Sequence, residues 1–484
     1  MKEGFFIRVT DLKPTNVFCF FNEITKIPRS SGNTSQITDY CINFAEKRKL
    51  KAVKDSSGNV IIYKNGTKGY ENSSPLILQG HLDMVWDTDS NNHSNKIKAT
   101  TNGKFVWAEN STLGADNGIG VAYILSILDS TNIPHPPIEA LFTVDEEIGM
   151  IGANNLDASL LKGKRLINID SENEGVLTVS CAGGVRIACK IPVNYTFPHK
   201  TSISYEIEIK GLYGGHSGID INKHRKNASV VCGRLLQSLF HYCNINIANI
   251  FGNNKVNSIP NKCKAIVSVN KRYKEKFENI IINFEKIVKQ EYCQIEPNLS
   301  INFSICNTPE KICDKHSTET IIFTLLQIPK GVQSMSPDIP HMVQTSLNFG
   351  NMALKDNSLV MNFLVRSNAS TGKQFAVQKL TSFINFLKGE YEILSDYPVW
   401  EYKTNSPIRN IMVETYKEIY GEEPIVTSLH AGLECGILSG KIYNADIISL
   451  GPNIYDVHTT KEKLDVLSTQ RCYEYLIKAI EKCK

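Results

Sequence analysis

The chain has 484 residues, 42% of them hydrophobic and 21% charged, with a formal net charge of +4. That length exceeds one ordinary hydrophobic core, so two domains, or one domain with a large insertion, are expected. The slight charge excludes the basic footprint of a nucleic-acid binder, because stretches such as Lys47-Arg48-Lys49 alternate with acidic ones and read as solvated helix faces; no apolar stretch approaches the ~18 residues needed to cross a membrane.

At the N-terminus, Met1 to Asp11 lacks the apolar core of a signal peptide. The apolar spacing of Asn16 to Ile27 and of Gln36 to Lys49 predicts two helices, with Ser35 placed to cap the second. Short β-rich runs follow at Val60 to Tyr63, Leu76 to Leu78, Ile138 to Val144 and Leu166 to Ile169, and Gly118 to Leu128 reads as a buried helix. Strands separated by helices imply an α/β sheet with parallel pairs. Near Lys190 the character changes. Ser202 to Lys210 alternates as a half-exposed strand, followed by a helix at Ala228 to Cys243, a strand at Ala265 to Asn270 and a helix at Phe277 to Gln290. Strands around Val343 to Phe349 and Leu359 to Arg366 and a helix at Gln374 to Leu387 repeat that order, which suggests an α+β insertion of two related halves. From about Tyr397 the α/β character returns, with helices near Ile408 to Ile419 and Thr469 to Lys482 around a strand at Ile447 to Leu450. The expected division is 1–187 and 396–484 for the first domain, with 188–395 inserted as the second.

Thirteen cysteines, an odd number with no CxxC pair, fit reduced thiols in a cytoplasmic protein. Cys435 sits in a Gly-rich segment but reads as a small buried filler rather than a nucleophile.

Function is written at the strand ends. His81-Leu82-Asp83 closes the run from Leu76, Asp145-Glu146-Glu147 follows Phe142 to Val144, and Asp170 follows Ile167 to Ile169. Asp116 lies in a Gly-flanked turn entering a helix, and His458 follows the strand that ends near Leu450. Each residue alone reads as a cap, a turn or a satisfied polar group; their recurrence at strand ends points to a pair of Zn²⁺-like ions. In open α/β sheets ligands bind beyond the carboxyl ends of strands, and imidazoles with carboxylates and no thiolate suit a catalytic rather than a structural site. Two such ions need a bridging carboxylate. Asp83 is placed to accept the His81 ring N–H and fix its tautomer. Of Glu146 and Glu147, whose side chains diverge, one can bind metal while the other acts as general base.

Gln79-Gly80-His81-Leu82-Asp83-Met84-Val85, Gly114-Ala115-Asp116-Asn117-Gly118, Asp145-Glu146-Glu147-Ile148-Gly149, Gly214-Gly215-His216-Ser217-Gly218 and His430-Ala431-Gly432-Leu433-Glu434-Cys435-Gly436 together resemble the M20 metallopeptidases, and within them the aminoacyl-histidine (Xaa-His) dipeptidase branch. The likeness runs from about Asn22 to the C-terminus, with its motifs in family order. It implies a dinuclear-metal peptidase domain with a central mixed, mostly parallel sheet, interrupted by an α+β lid of two ferredoxin-like halves. It also implies that Asp116 bridges the ions, with His81 and Asp170 on one and Glu147 and His458 on the other. Glu146 would be the general base and Asp83 the residue that orients a ligand. His216, which read alone fits equally a histidine in a tight Gly turn, would come from the lid and polarise the scissile carbonyl. Asn257 and Arg366 would grip the substrate carboxylate, Arg366 through its bidentate fork, and His430 would line the pocket. Two departures stand out: Thr459-Thr460 replaces a Ser/Thr-Pro step, so a looser loop is expected there, and His341 stands where relatives often carry Gly and has no assigned role.

The activity implied is hydrolysis of dipeptides with a free C-terminal carboxylate, Xaa-His (carnosine-like) dipeptides included, with broader specificity. It needs two divalent metal ions, Zn²⁺ first, with Mn²⁺ and Co²⁺ suited as well. The lid is about double length, which implies that His216 is supplied within one chain; a homodimer stays open. The alternatives are an amidohydrolase acting on N-acyl-amino acids and a non-catalytic metal-dependent binding protein, for which a retained Glu146 has no use.

Overall fold

The computed structural model describes residues 7–89, 97–253 and 255–484, so residues 1–6 of the N-terminal stretch discussed above lie outside the described residues. The chain forms two compact units. One comprises Met1–Ser180, Tyr402–Ser428 and Leu433–Lys484; the other comprises Cys181–Glu401 and Leu429–Gly432. The boundaries thus fall at 180/181 and 401/402 rather than at 187/188 and 395/396. The reason is strand pairing: Gly183–Pro192 ladders with both Ser358–Ser367 and Glu390–Tyr397, which draws both ends of the insertion into the second unit's sheet.

The first unit is built on an eight-stranded sheet, counted among the described residues. Its order is Lys51–Lys54, Val60–Lys64, Ile138–Thr143, Leu76–His81, Arg165–Asn168, Asp446–Ser449, Val176–Cys181 and Ile425–Leu429. The four central strands run parallel, and the flanking pairings to Val60–Lys64 and Val176–Cys181 are antiparallel. Leu76–His81 and Ile138–Thr143 are buried along their whole length, as parallel central strands require. Helix Ala115–Asp129 is apolar almost all round and nearly every residue is buried, the signature of a helix inside a core rather than on its surface. The closing helix Val466–Lys482 starts at Asp465, whose side chain accepts from the Ser468 amide. The second predicted helix begins at Ser35 itself, with Thr34 at the N-cap and no side-chain cap bond, so Ser35 does not cap it.

The second unit carries a nine-stranded antiparallel sheet among its described residues. Its first half, Ser300–Cys306, Ser202–Lys210, Cys263–Asn270 and Asn246–Gly252, joins Val343–Lys355 of the second half through Phe251 and Gly252. Helices Ala228–Cys243, Lys274–Glu291, Lys315–Gln327 and Ser370–Phe386 contribute to one continuous apolar cluster with the sheet, from Val185 to Ile384. Helix Lys315–Gln327 has no clear apolar spacing in the sequence to announce it. It is capped by Asp314, whose side chain accepts from the Ser317 amide. No described helix is long and apolar enough to cross a membrane, and none of the thirteen cysteines forms a disulfide, with Cys435 buried.

Candidate metal centre

Because the central strands are parallel, their carboxyl ends share one rim. His81 is the last residue of its strand, and Asp145-Glu146-Glu147 and Asp170 follow theirs. Asp145 takes a left-handed φ of +55°, which turns the chain sharply off the strand, and its carboxylate accepts the Gly32 amide at 2.7 Å.

Asp116 is the centre of the arrangement. One of its oxygens lies 3.1 Å from His81 Nε2 and the other 3.1 Å from His458 Nε2. Asp170 Oδ1 stands 3.2 Å from His81 Nε2, and Glu147 Oε1 stands 2.8 Å from His458 Nε2. The five ligands expected from the sequence therefore fall into two trios that share Asp116. Donor atoms of His81, Asp116 and Glu147 lie within 4.8 Å of one another. Three carboxylates and two imidazoles on one spot, without thiolates, fit hard or borderline divalent ions.

The side chains around the trios explain how they are held. The His81 Nδ1–H faces Asp83, with the main-chain oxygen at 3.2 Å and the carboxylate at 3.5 Å. The Asp83 carboxylate has a second task that spacing did not reveal: it accepts the amides of Glu146 at 3.0 Å and Glu147 at 3.2 Å and the Ser31 hydroxyl at 2.7 Å. Burial opposes its charge, but the bonds from His81, Ser31 and the Glu146 amide hold its carboxyl down to about 2. Glu146 behaves oppositely. Burial pushes its carboxyl up to about 9, and the Asp170, Glu434 and Glu147 carboxylates add to the push against the attraction of His81. A carboxyl this reluctant to stay charged is a proton acceptor of raised basicity.

Glu434 lies in the Gly-rich segment His430 to Gly436. It is fully buried at the start of helix Glu434–Lys441, accepts from Gln79 and Thr143 at 2.7 Å each, and keeps one oxygen unpartnered. Burial pushes its carboxyl up to about 7. In the Thr459-Thr460 loop the Thr459 hydroxyl donates to the Asp456 carbonyl at 2.7 Å, and the Glu462 amide donates to the Thr459 carbonyl at 3.1 Å.

A second polar cluster belongs to the inserted unit and collects His216, Asn257, Arg366 and His430. His216 pairs with Ser258 in a two-residue ladder, and the Ser217 amide donates to the Asn257 carbonyl at 2.9 Å. Gly218 packs so closely that a Cβ there would meet the His430 carbonyl and the His216 ring. His216 Nδ1 accepts two amides, Gly218 and Ile219, each at 3.2 Å. The proton of the neutral ring must then sit on Nε2, which leaves an outward donor. Burial and the Arg366 cation hold its pKa below the ordinary value, which keeps the ring neutral. His430 donates from Nδ1 to Asn368 Oδ1 at 3.0 Å and accepts the Ser346 hydroxyl at Nε2 at 2.8 Å; burial pushes its pKa down to about 3. Arg366 is 7% exposed, donates to the Tyr397 hydroxyl at 3.0 Å, and keeps Nε unpartnered with no carboxylate beside it among the described residues. Neither Tyr397 nor Ser346 carried a sequence signal, since both contacts arise only from sheet register. His341 sits in a turn with φ +62° and joins neither cluster.

A model of peptidase family M20/M25/M40 matches residues 77–482. The chain is 31% identical to the cytosol non-specific dipeptidase of Escherichia coli (strain K12) over 478 residues, 98% of each chain. It is similar to the solved structure of an aminoacylhistidine dipeptidase from Vibrio alginolyticus, with a TM-score of 0.93, 32% identity and 98% of each chain covered. An aminopeptidase structure from Bacillus cereus ATCC 10987, at 15% identity and a TM-score of 0.58, shares the fold over 98% of this chain and 99% of that one.

Proposed function

Because the chain belongs to peptidase family M20/M25/M40, we propose that it is a cytosolic, metal-dependent dipeptidase that cleaves dipeptides with a free C-terminal carboxylate, Xaa-His dipeptides among them. The observation that carries this is the pair of donor trios sharing Asp116, with a proton-accepting Glu146 beside them. His81, Asp116 and Asp170 would hold one divalent ion, and Asp116, Glu147 and His458 the other. Bound there, two such ions would supply Lewis acidity and a water of lowered pKa; Zn²⁺, Mn²⁺ and Co²⁺ all match the donors.

Glu146 takes the proton of the attacking water and returns it to the nitrogen of the departing residue. Asp83 fixes the Glu146 and Glu147 amides, so base and ligand keep divergent aims. His216 offers its Nε2–H to the oxyanion as a neutral donor, which stabilises developing charge without giving up the proton. Arg366, a buried cation with no carboxylate beside it among the described residues, receives the substrate carboxylate, with Asn257 and His430 lining the same cluster. A guanidinium held dry without a counter-ion is costly, and an incoming carboxylate relieves that cost. The relatives named cytosol non-specific dipeptidase and aminoacylhistidine dipeptidase support both the substrate class and the location.

The test is release of free amino acid from a panel of Xaa-His and other dipeptides beside N-acyl-amino acids. It is run with Zn²⁺ or Mn²⁺, with chelator, and with Glu146→Gln. Dipeptide cleavage that needs metal and disappears in the variant is expected. Activity confined to N-acyl-amino acids would replace this reading with an amidohydrolase.

A further inference from the structure

Two buried charges near the metal centre have no part in the mechanism above. Arg29 and Glu462 are each 2% exposed, one following the first helix and the other four residues beyond His458. Burying a carboxylate or a guanidinium costs several kcal/mol unless its bonds repay it, so the atoms each one chooses are informative.

Glu462 accepts four consecutive amides: Leu113 at 2.8 Å, Gly114 at 2.9 Å, Ala115 at 2.8 Å and Asp116 at 3.3 Å. Arg29 takes the other side of the same turn. It donates to the Gly114 carbonyl, and also to the carbonyls of Leu82 at 2.9 Å and Asp83 at 3.0 Å, just past His81. The turn therefore has its amides gripped by an anion and a carbonyl gripped by a cation, and the pair adds no net charge to the centre. Gly114 makes this possible. Its φ is +67°, and a Cβ there would strike the Arg29 guanidinium and the Met84 sulfur.

We infer that Glu462 and Arg29 are positioning residues that hold the Leu113–Asp116 turn and lock it to the His81 and His458 segments, and so set the spacing of the three ligand segments. The inference rests on the metal reading given above. Glu462 ties the His458 loop to the Asp116 turn, and Arg29 ties that turn to the residues after His81. Neither touches a reacting atom. A neutral glutamine could not do the same, because its single acceptor oxygen leaves part of the amide row facing an NH₂ group.

The experiment is calorimetric titration of the full-length metal-free chain with Mn²⁺ and separately with Zn²⁺, for wild type, Glu462→Gln, Arg29→Lys and the double variant. Circular dichroism and thermal melts of the metal-free forms accompany it. Each single variant is expected to keep its fold and lose on the order of 10- to 100-fold in apparent metal affinity, the size seen when a group supporting a ligand is removed. The double variant should lose little beyond the worse single one, since both hold one turn. Wild-type affinity in folded Glu462→Gln and Arg29→Lys would overturn the inference, as would losses that simply add. Arg29→Lys keeps the charge but not the fork, so it decides alone if Glu462→Gln does not fold. A wild type that binds neither metal would overturn the metal reading itself, a separate result from equal binding by wild type and variants.

Discussion

Glu146 and Glu147 are neighbours in the chain whose side chains meet opposite surroundings. Glu147 stands 2.8 Å from His458, while Glu146 is pushed towards protonation by burial and by its acidic neighbours. Glu146→Gln should therefore lower kcat by about 10³-fold, within the range for loss of a general base, with metal stoichiometry unchanged. Metal analysis of the purified variant beside its kinetics checks this. His430 makes a prediction about stability. Its folded pKa, about 3, lies below the ordinary imidazole value because of burial and the Arg366 cation. Below pH ~6.5 the unfolded chain takes up a proton that the folded chain refuses, so stability is lost as pH falls, by roughly 1 kcal/mol per pH unit. Thermal melts between pH 7 and pH 4.5 should show His430→Asn falling less steeply than wild type.

At the scale of elements, strand register assembles what no motif could announce. The Ser358–Ser367 strand places Arg366 opposite Gly184, and a Cβ on Gly184 would run into the Tyr397 ring. Tyr397 holds Arg366 through its hydroxyl. Gly184→Ala should displace that ring, loosen the guanidinium, and raise KM for dipeptides about tenfold, roughly 1.4 kcal/mol, with kcat largely kept. Steady-state kinetics separates the two constants. The same register explains what could be read in advance. His81, Asp116, Glu146, Glu147, Asp170 and His458 were legible because strand ends and Gly turns leave marks along the chain. Tyr397, Ser346, Glu434 and the Arg29–Glu462 pair were not, because each acts through a partner tens to hundreds of residues away. Helix Lys315–Gln327 escaped for a different reason: its polar first turn dilutes the apolar spacing.

At the scale of the whole molecule, the second unit enters and leaves its sheet side by side. Cys181 and Trp400 exchange main-chain bonds, at 3.0 and 3.2 Å, and the inserted unit has an apolar cluster of its own. A fragment spanning 181–401 should fold alone with a cooperative melt. The remainder, closed by a short Gly-Ser linker between residues 180 and 402, should still bind metal, since all five donors lie in it, yet cleave no dipeptide without Arg366 and His216. Calorimetry and the substrate panel on the two pieces test both halves of that statement. The sheet order carries one more consequence, in time rather than space. Asp446–Ser449 fills a place between Arg165–Asn168 and Val176–Cys181, strands made long before it. On the ribosome the insertion is thus finished while its host still has a gap in the middle of its sheet. A nascent chain stalled before Asp446 would display a complete guest inside an unfinished host, holding His81, Asp116 and Asp170 but still waiting for His458.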